Sequence, residues 1–261
     1  MTAEIYHLYH SGVVVKTNNS FMVFDYYNNR PNGKERKIEN GVLSPEDFSN
    51  KKENYVFVSH NHADHFNQVI FDWKEETNNI KYIMSSDLKQ TIRNSVYEKI
   101  VAQFNKLDVS DKSDTYFVAP DERVKMNDLT IETYDSTDKG VSFLVKTGQL
   151  NIFHAGDLNW WHWKDNTERE QKLEEKNYKK EINKLSDERV DIAFVPVDPR
   201  LEEYYHLAGE YFIKEVKPEI LVPIHFSDNF DITERFAVRV EDYSTEVVKI
   251  NNRGQKFIYD G

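Results

Sequence analysis

Six consecutive residues, His60-Asn61-His62-Ala63-Asp64-His65, carry three imidazoles and a carboxylate directly after the apolar run Tyr55-Val56-Phe57-Val58. Imidazole nitrogen and carboxylate oxygen are the donors that borderline first-row divalent cations prefer, and the chain has no cysteine to compete as a softer ligand. Side chains alternate along an extended segment, so His60 and His62 converge on one ion while the adjacent Asp64 and His65 diverge and reach a second. A helix would fan the same four groups around its axis, and the β-rich run before them points instead to a strand end. The plainer uses of such residues are a solvated loop, or caps for a helix starting near Phe66.

Two further strand exits offer ligands. The run Leu150-Asn151-Ile152-Phe153-His154 reads as a buried strand leading into Ala155-Gly156-Asp157, where glycine permits the tight turn that presents a carboxylate. Asp157 is the natural bridging ligand of two ions. The run Glu219-Ile220-Leu221-Val222-Pro223-Ile224 ends in His225. Function collected just past the carboxyl ends of strands is the usual arrangement in layered α/β proteins.

On these residues the chain resembles the metallo-β-lactamase superfamily over nearly its whole length. His60-x-His62-x-Asp64-His65 is similar to the family's signature loop, Gly156-Asp157 to its bridging aspartate and His225 to its last metal histidine. Asp25, after the run Phe21-Met22-Val23-Phe24, resembles the early strand-then-Asp element, and His10-Ser11-Gly12 the opening strand turn of the lactonase-like small-hydrolase branch. The resemblance implies an α/β (α+β) fold, a four-layer αββα sandwich with a mono- or dinuclear metal centre at one edge. Its metal ligands would be His60, His62, Asp64, His65, Asp157 and His225, with Asp64 and Asp157 also catalytic.

The chain departs from that pattern at one ligand. Most members place another histidine between the signature loop and the bridging aspartate, whereas this chain has no histidine from 66 to 153 and carries Ser136 near the expected place. Asp138 or Asp135 is the expected oxygen replacement. An oxygen-richer first site would bind zinc more weakly and tolerate manganese or iron better; one or two divalent ions are expected, with zinc the leading choice.

The elements that must position these groups read as alternating layers. Strand patterns cover Ile5 to Tyr9, Val13 to Thr17, Phe21 to Tyr26, Lys81 to Met84, Leu129 to Tyr134, Val141 to Lys146 and Asp191 to Val195; helical patterns cover Asp87 to Phe104 and Leu207 to Val216. The charge-dense stretch from Lys164 to Arg189 spaces Tyr178, Ile182 and Leu185 as the buried stripe of an amphipathic helix. Nothing in 261 residues divides the chain, so residues 1–261 are expected to form a single domain. No run approaches the ~18 apolar residues of a membrane span, and the N-terminus lacks a signal-peptide pattern. A cytoplasmic protein with no membrane partner is expected. The net charge of −11 works against nucleic acid as a ligand.

Other residues have two readings each. Asn159-Trp160-Trp161-His162-Trp163 either walls an apolar pocket beside the metals, with His162 touching substrate or shuttling protons, or packs a loop onto the core. His154 points with Ile152 along its strand and suits a core position, or one that orients Asp157. Arg200 either meets an anionic substrate or pairs structurally. The expected function is metal-dependent hydrolysis of a small molecule, of the ester, lactone or phosphodiester class, by a metal-held hydroxide. The alternatives are a non-catalytic metal- or ligand-binding protein with a degenerate first site, and a di-iron redox protein.

Overall fold

Apolar residues occupy both faces of the first strands. In β3 (Ser20–Phe24) and β4 (Glu53–Val58), Met22, Phe24, Tyr55 and Phe57 point to one cluster, while Phe21, Val23, Val56 and Val58 point to another. A strand buried on both faces must lie between two other layers. The computed structural model describes residues 2–48, 51–77, 79–89 and 114–261, and it shows those layers. One sheet runs β14-β1-β2-β3-β4-β5-β6 and the other β13-β12-β11-β10-β9-β8-β7. The strands are β1 (Thr2–Tyr9), β2 (Gly12–Lys16), β5 (Ile80–Ser85), β6 (Thr115–Val118), β7 (Arg123–Met126), β8 (Leu129–Asp135), β9 (Val141–Lys146), β10 (Asn151–His154), β11 (Ile192–Pro196), β12 (Ile220–Ile224), β13 (Glu246–Val247) and β14 (Gln255–Asp260), with β3 and β4 as above.

The two sheets repeat one plan. Each has three antiparallel pairings on one side and three parallel ones on the other, the change falling at β3/β4 in the first sheet and at β10/β11 in the second. Inward-facing side chains of both sheets form the central core, where Phe24 stacks on Phe57 and on His154 at 4.6 and 5.1 Å between ring centroids. The outer face of the second sheet is covered by three helices, α1 (Glu168–Asn183), α2 (Leu207–Val216) and α3 (Asp231–Arg239). Against the outer face of the first pack Ile70 and Trp73, from a run of 3-10 turns over Gln68–Glu75. The result is the expected sandwich of two mixed sheets between helical layers. Among the described residues no helix is long and apolar enough to cross a membrane.

Several boundaries correct the sequence reading. The amphipathic stretch becomes α1, opened by a capping box between Thr167 and Glu170, with Tyr178 and Ile182 buried on its inner face. Near Phe66 the cap is Asn67, whose side chain accepts from the Val69 amide, so the metal-type residues before it do no capping. Strands β6, β7, β13 and β14 and helix α3 were not among the expected elements; β14 alternates inner Gln255, Phe257 and Tyr259 with exposed Lys256, Ile258 and Asp260, and α3 buries Ile232, Thr233 and Phe236 on one face. The helical expectation over Asp87 to Phe104 lies almost wholly outside the described residues.

At the edge that bears the signature loop, hydrogen bonds join one sheet to the other. The Val141 amide donates to the Ser59 carbonyl at 2.9 Å, the His225 amide to the His10 carbonyl at 3.0 Å, and His154 Nε2–H to the Ser11 carbonyl at 3.0 Å. Gly140 makes the first of these contacts possible. Its φ is +72°, and a Cβ there would lie 2.0 Å from the Ser59 carbonyl oxygen and 2.5 Å from His60 Cβ. Gly140→Ala should therefore cost at least the ~1–2 kcal/mol of a left-handed non-glycine residue and push the 136–140 loop off the signature loop. The expected results are a lower urea midpoint and weaker divalent-metal uptake in the same variant; unchanged values for both would show that the loop docks in another way.

Candidate metal centre

Strand ends deliver the candidate ligands to this edge. β3 runs into Asp25, β4 into Ser59 and His60, β10 through Ala155-Gly156 into Asp157, β11 through Val197 into Asp198, and β12 into His225. The turn between β1 and β2 adds His10. Gly156 has φ +55° and sits where a Cβ would be 2.7 Å from Ser59 Cβ, so the turn before Asp157 lies directly on the start of the signature loop.

The side chains fall into two groups. His60, His62, Asp138 and Asp157 form one; His10, Asp64, His65 and His225 form the other, and in each group one donor atom per residue lies within 4.8 Å of the rest. Asp157 faces both. Its Oδ2 is 3.4 Å from His60 Nε2, and its Oδ1 is 3.0 Å from His65 Nε2 and 3.2 Å from His225 Nε2. His62 Nδ1 lies 3.5 Å from Asp138 Oδ2, and His10 Nε2 lies 3.5 Å from Asp64 Oδ2. Asp138, rather than Asp135, thus stands in the first group; Asp135 is exposed, and its carboxylate accepts from the Ser136 amide.

The buried ring nitrogens are held by partners that leave the opposite nitrogen free. His65 Nδ1–H donates to Asp25 Oδ2 at 2.7 Å, and His225 Nδ1–H donates to Asp198 Oδ2 at 3.0 Å. The Ser59 hydroxyl donates to Asp25 Oδ2 at 2.7 Å and so accepts from His60 Nδ1–H at 2.9 Å. A carboxylate can only accept, so each Nδ1 carries a proton and each Nε2 is the nitrogen turned inward, where a cation would take its lone pair. Among the described residues, Nε2 of His10, His60, His65 and His225 and Oδ1 of Asp157 are buried without a hydrogen-bond partner. Buried polar groups are rarely left in this state, and a cluster of them with imidazole and carboxylate chemistry fits one or two divalent cations.

The electrostatics point the same way. Burial opposes protonation of His65, yet the carboxylates of Asp25 and Asp157 override it and push the imidazole up to about 10. Burial likewise raises Asp157, but the imidazoles of His65, His225 and His60 hold it far below the usual carboxylate range. Asp198 is held down at about 2 against its burial by His225 and Arg200. The pocket is built to receive positive charge.

The remaining expectations divide. His154 is a core histidine: its Nε2–H donates to Ser11, and its Nδ1 accepts from the Gly156 amide, which steadies the turn before Asp157. His162 joins neither group and packs its ring against Tyr204 at 4.3 Å. Trp160 packs on Tyr178 of α1 and Tyr211 of α2, whereas Trp161 meets His225 edge-on at 5.7 Å and stacks on Trp163. Only part of the tryptophan run therefore borders the centre. Arg200 is paired, its Nη2 and Nε lying 2.6 and 2.9 Å from Asp198 Oδ2. His10 was legible only as part of a turn; the signal available was a histidine between an apolar strand and Ser11-Gly12.

Beside the second group opens a cavity of about 610 Å³, walled by His10, Tyr27, Asp64, Arg200, His225 and Ser227 among others. Small-molecule sites commonly have this size.

A family profile described as "Beta-lactamase superfamily domain" matches residues 4–225. None of the curated proteins matches the sequence. Among solved structures, Igni18, a novel metallo hydrolase from the hyperthermophilic archaeon Ignicoccus hospitalis, aligns over 100% of both chains with 16% identity and a TM-score of 0.64. CmlA, a diiron beta-hydroxylase from Streptomyces venezuelae, aligns over 99% of this chain and 54% of its own, with 10% identity and a TM-score of 0.62. Isothiocyanate hydrolase from Delia radicum gut bacteria aligns over 97% and 98%, with 11% identity and a TM-score of 0.52. At these identities the structural likeness is one of fold.

Asp25 ties the signature loop to a buried histidine, accepting from the Ser59 amide, the Ser59 hydroxyl and His65 Nδ1–H. Asp25→Asn should lower affinity for a divalent metal by about 10–100-fold, the usual cost of losing a group that orients a ligand. Chelator competition on wild type and variant measures it, and equal affinities would show that Asp25 serves folding alone.

Proposed function

Because the chain belongs to the metallo-β-lactamase superfamily, we propose that it is a metal-dependent hydrolase of a small molecule, working at a mono- or dinuclear centre formed by His60, His62, Asp138, Asp157, Asp64, His65 and His225. One observation carries this reading: buried, unpartnered imidazole nitrogens converge on the two oxygens of a single carboxylate, Asp157, beside an open cavity. Divalent cations held by such donors lower the pKa of a water toward roughly 7 and polarise the electrophile. Asp157 gives one oxygen to each group. Asp64, its side chain 45% exposed at the cavity wall, would help hold the second ion and orient a water beside it.

Asp138 restores a fourth donor where the family's usual histidine is missing. That works against a degenerate, non-catalytic site. It also makes the first group two imidazoles and two carboxylates, a set that accepts manganese or iron as readily as zinc. The same carboxylate favours a second reading, di-iron redox chemistry, which oxygen uptake by the iron-loaded protein with a reductant would reveal. Hydrolysis without oxygen uptake would dismiss it.

The cavity favours a neutral ester or lactone over a phosphodiester. Asp64, Asp198, Asp228 and Asp231 line it against Arg200, whose guanidinium is already committed to Asp198. Among the described lining residues Arg200 is the one permanent cation, and its Nε and Nη2 are held by Asp198. With the metal-loaded protein, 4-nitrophenyl acetate should be turned over with at least tenfold higher kcat/KM than bis(4-nitrophenyl) phosphate, and the reverse ranking would refute the preference. Asp157→Ala should abolish metal-dependent turnover and retained metal while preserving the circular dichroism spectrum. Turnover at normal metal content in that variant would sink the hydrolase assignment.

A further inference from the structure

His10 stands among the second group of donors, yet its hydrogen bonds differ in kind from those of its neighbours. His65 and His225 each give their Nδ1 proton to a carboxylate, which leaves an Nε2 lone pair for a cation. At His10 the direction is reversed. Two groups of Ser227 meet His10 Nδ1, the main-chain N–H and the hydroxyl, each at 3.2 Å; the hydroxyl can donate or accept, but the main-chain N–H can only donate, so Nδ1 is the acceptor for both. A neutral imidazole has one lone pair and one N–H. With the lone pair engaged at Nδ1, the proton sits on Nε2.

We infer that His10 is no metal ligand but a fixed hydrogen-bond donor, its Nε2–H facing the cavity beside the second donor group and reaching the oxygen that gains negative charge as the electrophile is attacked. The placement is rigid on both sides. His10 has a left-handed backbone (φ +58°), as do His225 (φ +67°) and Ser227 (φ +53°), and the two segments lock together through the His225 amide on the His10 carbonyl and the Ser227 amide on the His10 ring. His7 Nε2–H donates to the same His10 carbonyl at 3.3 Å. His10 is 6% exposed, and its Nε2 has no aligned acceptor among the described residues; the Asp64 carboxylate oxygen Oδ2 is 3.5 Å away. A buried N–H without an acceptor, on the wall of the cavity, is a group waiting for a ligand oxygen. A donor held in advance where charge develops commonly contributes about 10²–10³-fold in kcat.

This inference rests on the metallo-hydrolase reading, and the experiment separates the two. Imidazole ¹⁵N NMR on the full-length protein, before and after saturation with Zn(II), reports which ring nitrogen carries the proton. His65 and His225 should lose any proton at Nε2 when zinc is added, while His10 keeps its own. Loss of the His10 Nε2 proton on zinc addition would make it a ligand and overturn the inference. If none of the three responds because no zinc is taken up, the metal reading falls and the donor role falls with it. Mutation supplies a second readout. With 4-nitrophenyl acetate, His10→Ala should lower kcat by about 10²–10³-fold with KM and zinc stoichiometry little changed, and His10→Gln, which keeps an N–H, should recover part of the loss. A drop in bound zinc that parallels the loss of turnover would count against a donor and for a ligand.

Discussion

The contact on which the rest of this molecule's functional edge depends is the Asp157 carboxylate against three imidazoles. Asp157 is 5% exposed, and two of its three neighbours, His60 and His65, are wholly buried. A carboxylate in such a place survives as an anion only if positive charge meets it, because desolvation of an unpaired charge costs several kcal/mol. Asp25 and Asp198 add two more buried carboxylates one bond further out, each tied to the far nitrogen of a histidine that faces Asp157. Negative charge therefore surrounds the ring nitrogens from both sides. Protons can compensate it in part, as the raised His65 shows, but a divalent cation compensates it more completely and satisfies the orphaned lone pairs at the same time.

Bringing these groups together constrains the backbone. Eight described non-glycine residues have positive φ, and half of them, His10, Asp25, His225 and Ser227, lie within this one edge. Such conformations cost of order 1–3 kcal/mol each, and they persist because the sheets beneath over-determine them. The stacked Phe24, Phe57 and His154 fill the core just below, and main-chain hydrogen bonds tie His10 to His225 and Ser59 to Val141 across the sandwich. The repeated sheet plan explains why the strain collects here. In both sheets the change from antiparallel to parallel pairing occurs beside the strands that deliver Asp25, His60 and Asp157, and that discontinuity leaves room for loops to fold inward.

What the sequence made legible follows from the range of the interactions involved. His60, His62, Asp64 and His65 were readable as a set because their donors fall within six residues, although the segment turns through the His65 and Phe66 amides on the His62 carbonyl instead of running extended as expected; Asp157 and His225 were readable because each follows an apolar strand. The sandwich was readable because both-face burial leaves a continuous apolar run. By contrast, choosing Asp138 over Asp135 depends on the path of a turn held by Gly140 against Ser59, some eighty residues away in the chain. His10 depends on Ser227, 217 positions distant. Edge strand β14 and helix α3 were missed although each carries its period, Phe257 and Tyr259 alternating with exposed residues in the one and Ile232 and Phe236 spaced four apart in the other, because both are short and rich in charged residues.

The polarity of a single hydrogen bond then does much of the chemical sorting. Four buried histidines crowd one another here, with ring centroids as close as 4.0 Å for His10 and His225 and 4.1 Å for His60 and His65, so position alone does not separate ligand from donor. What separates them is the partner at Nδ1. An acceptor there, whether Asp25, Asp198 or the Ser59 hydroxyl, turns a lone pair toward the centre; a main-chain donor, as at Ser227, turns a proton toward it. Imidazole serves equally well in either sense, which is why one residue type can both hold a cation and face a developing anion within a few ångströms. The surrounding carboxylates and one amide, more than the histidines themselves, assign those roles.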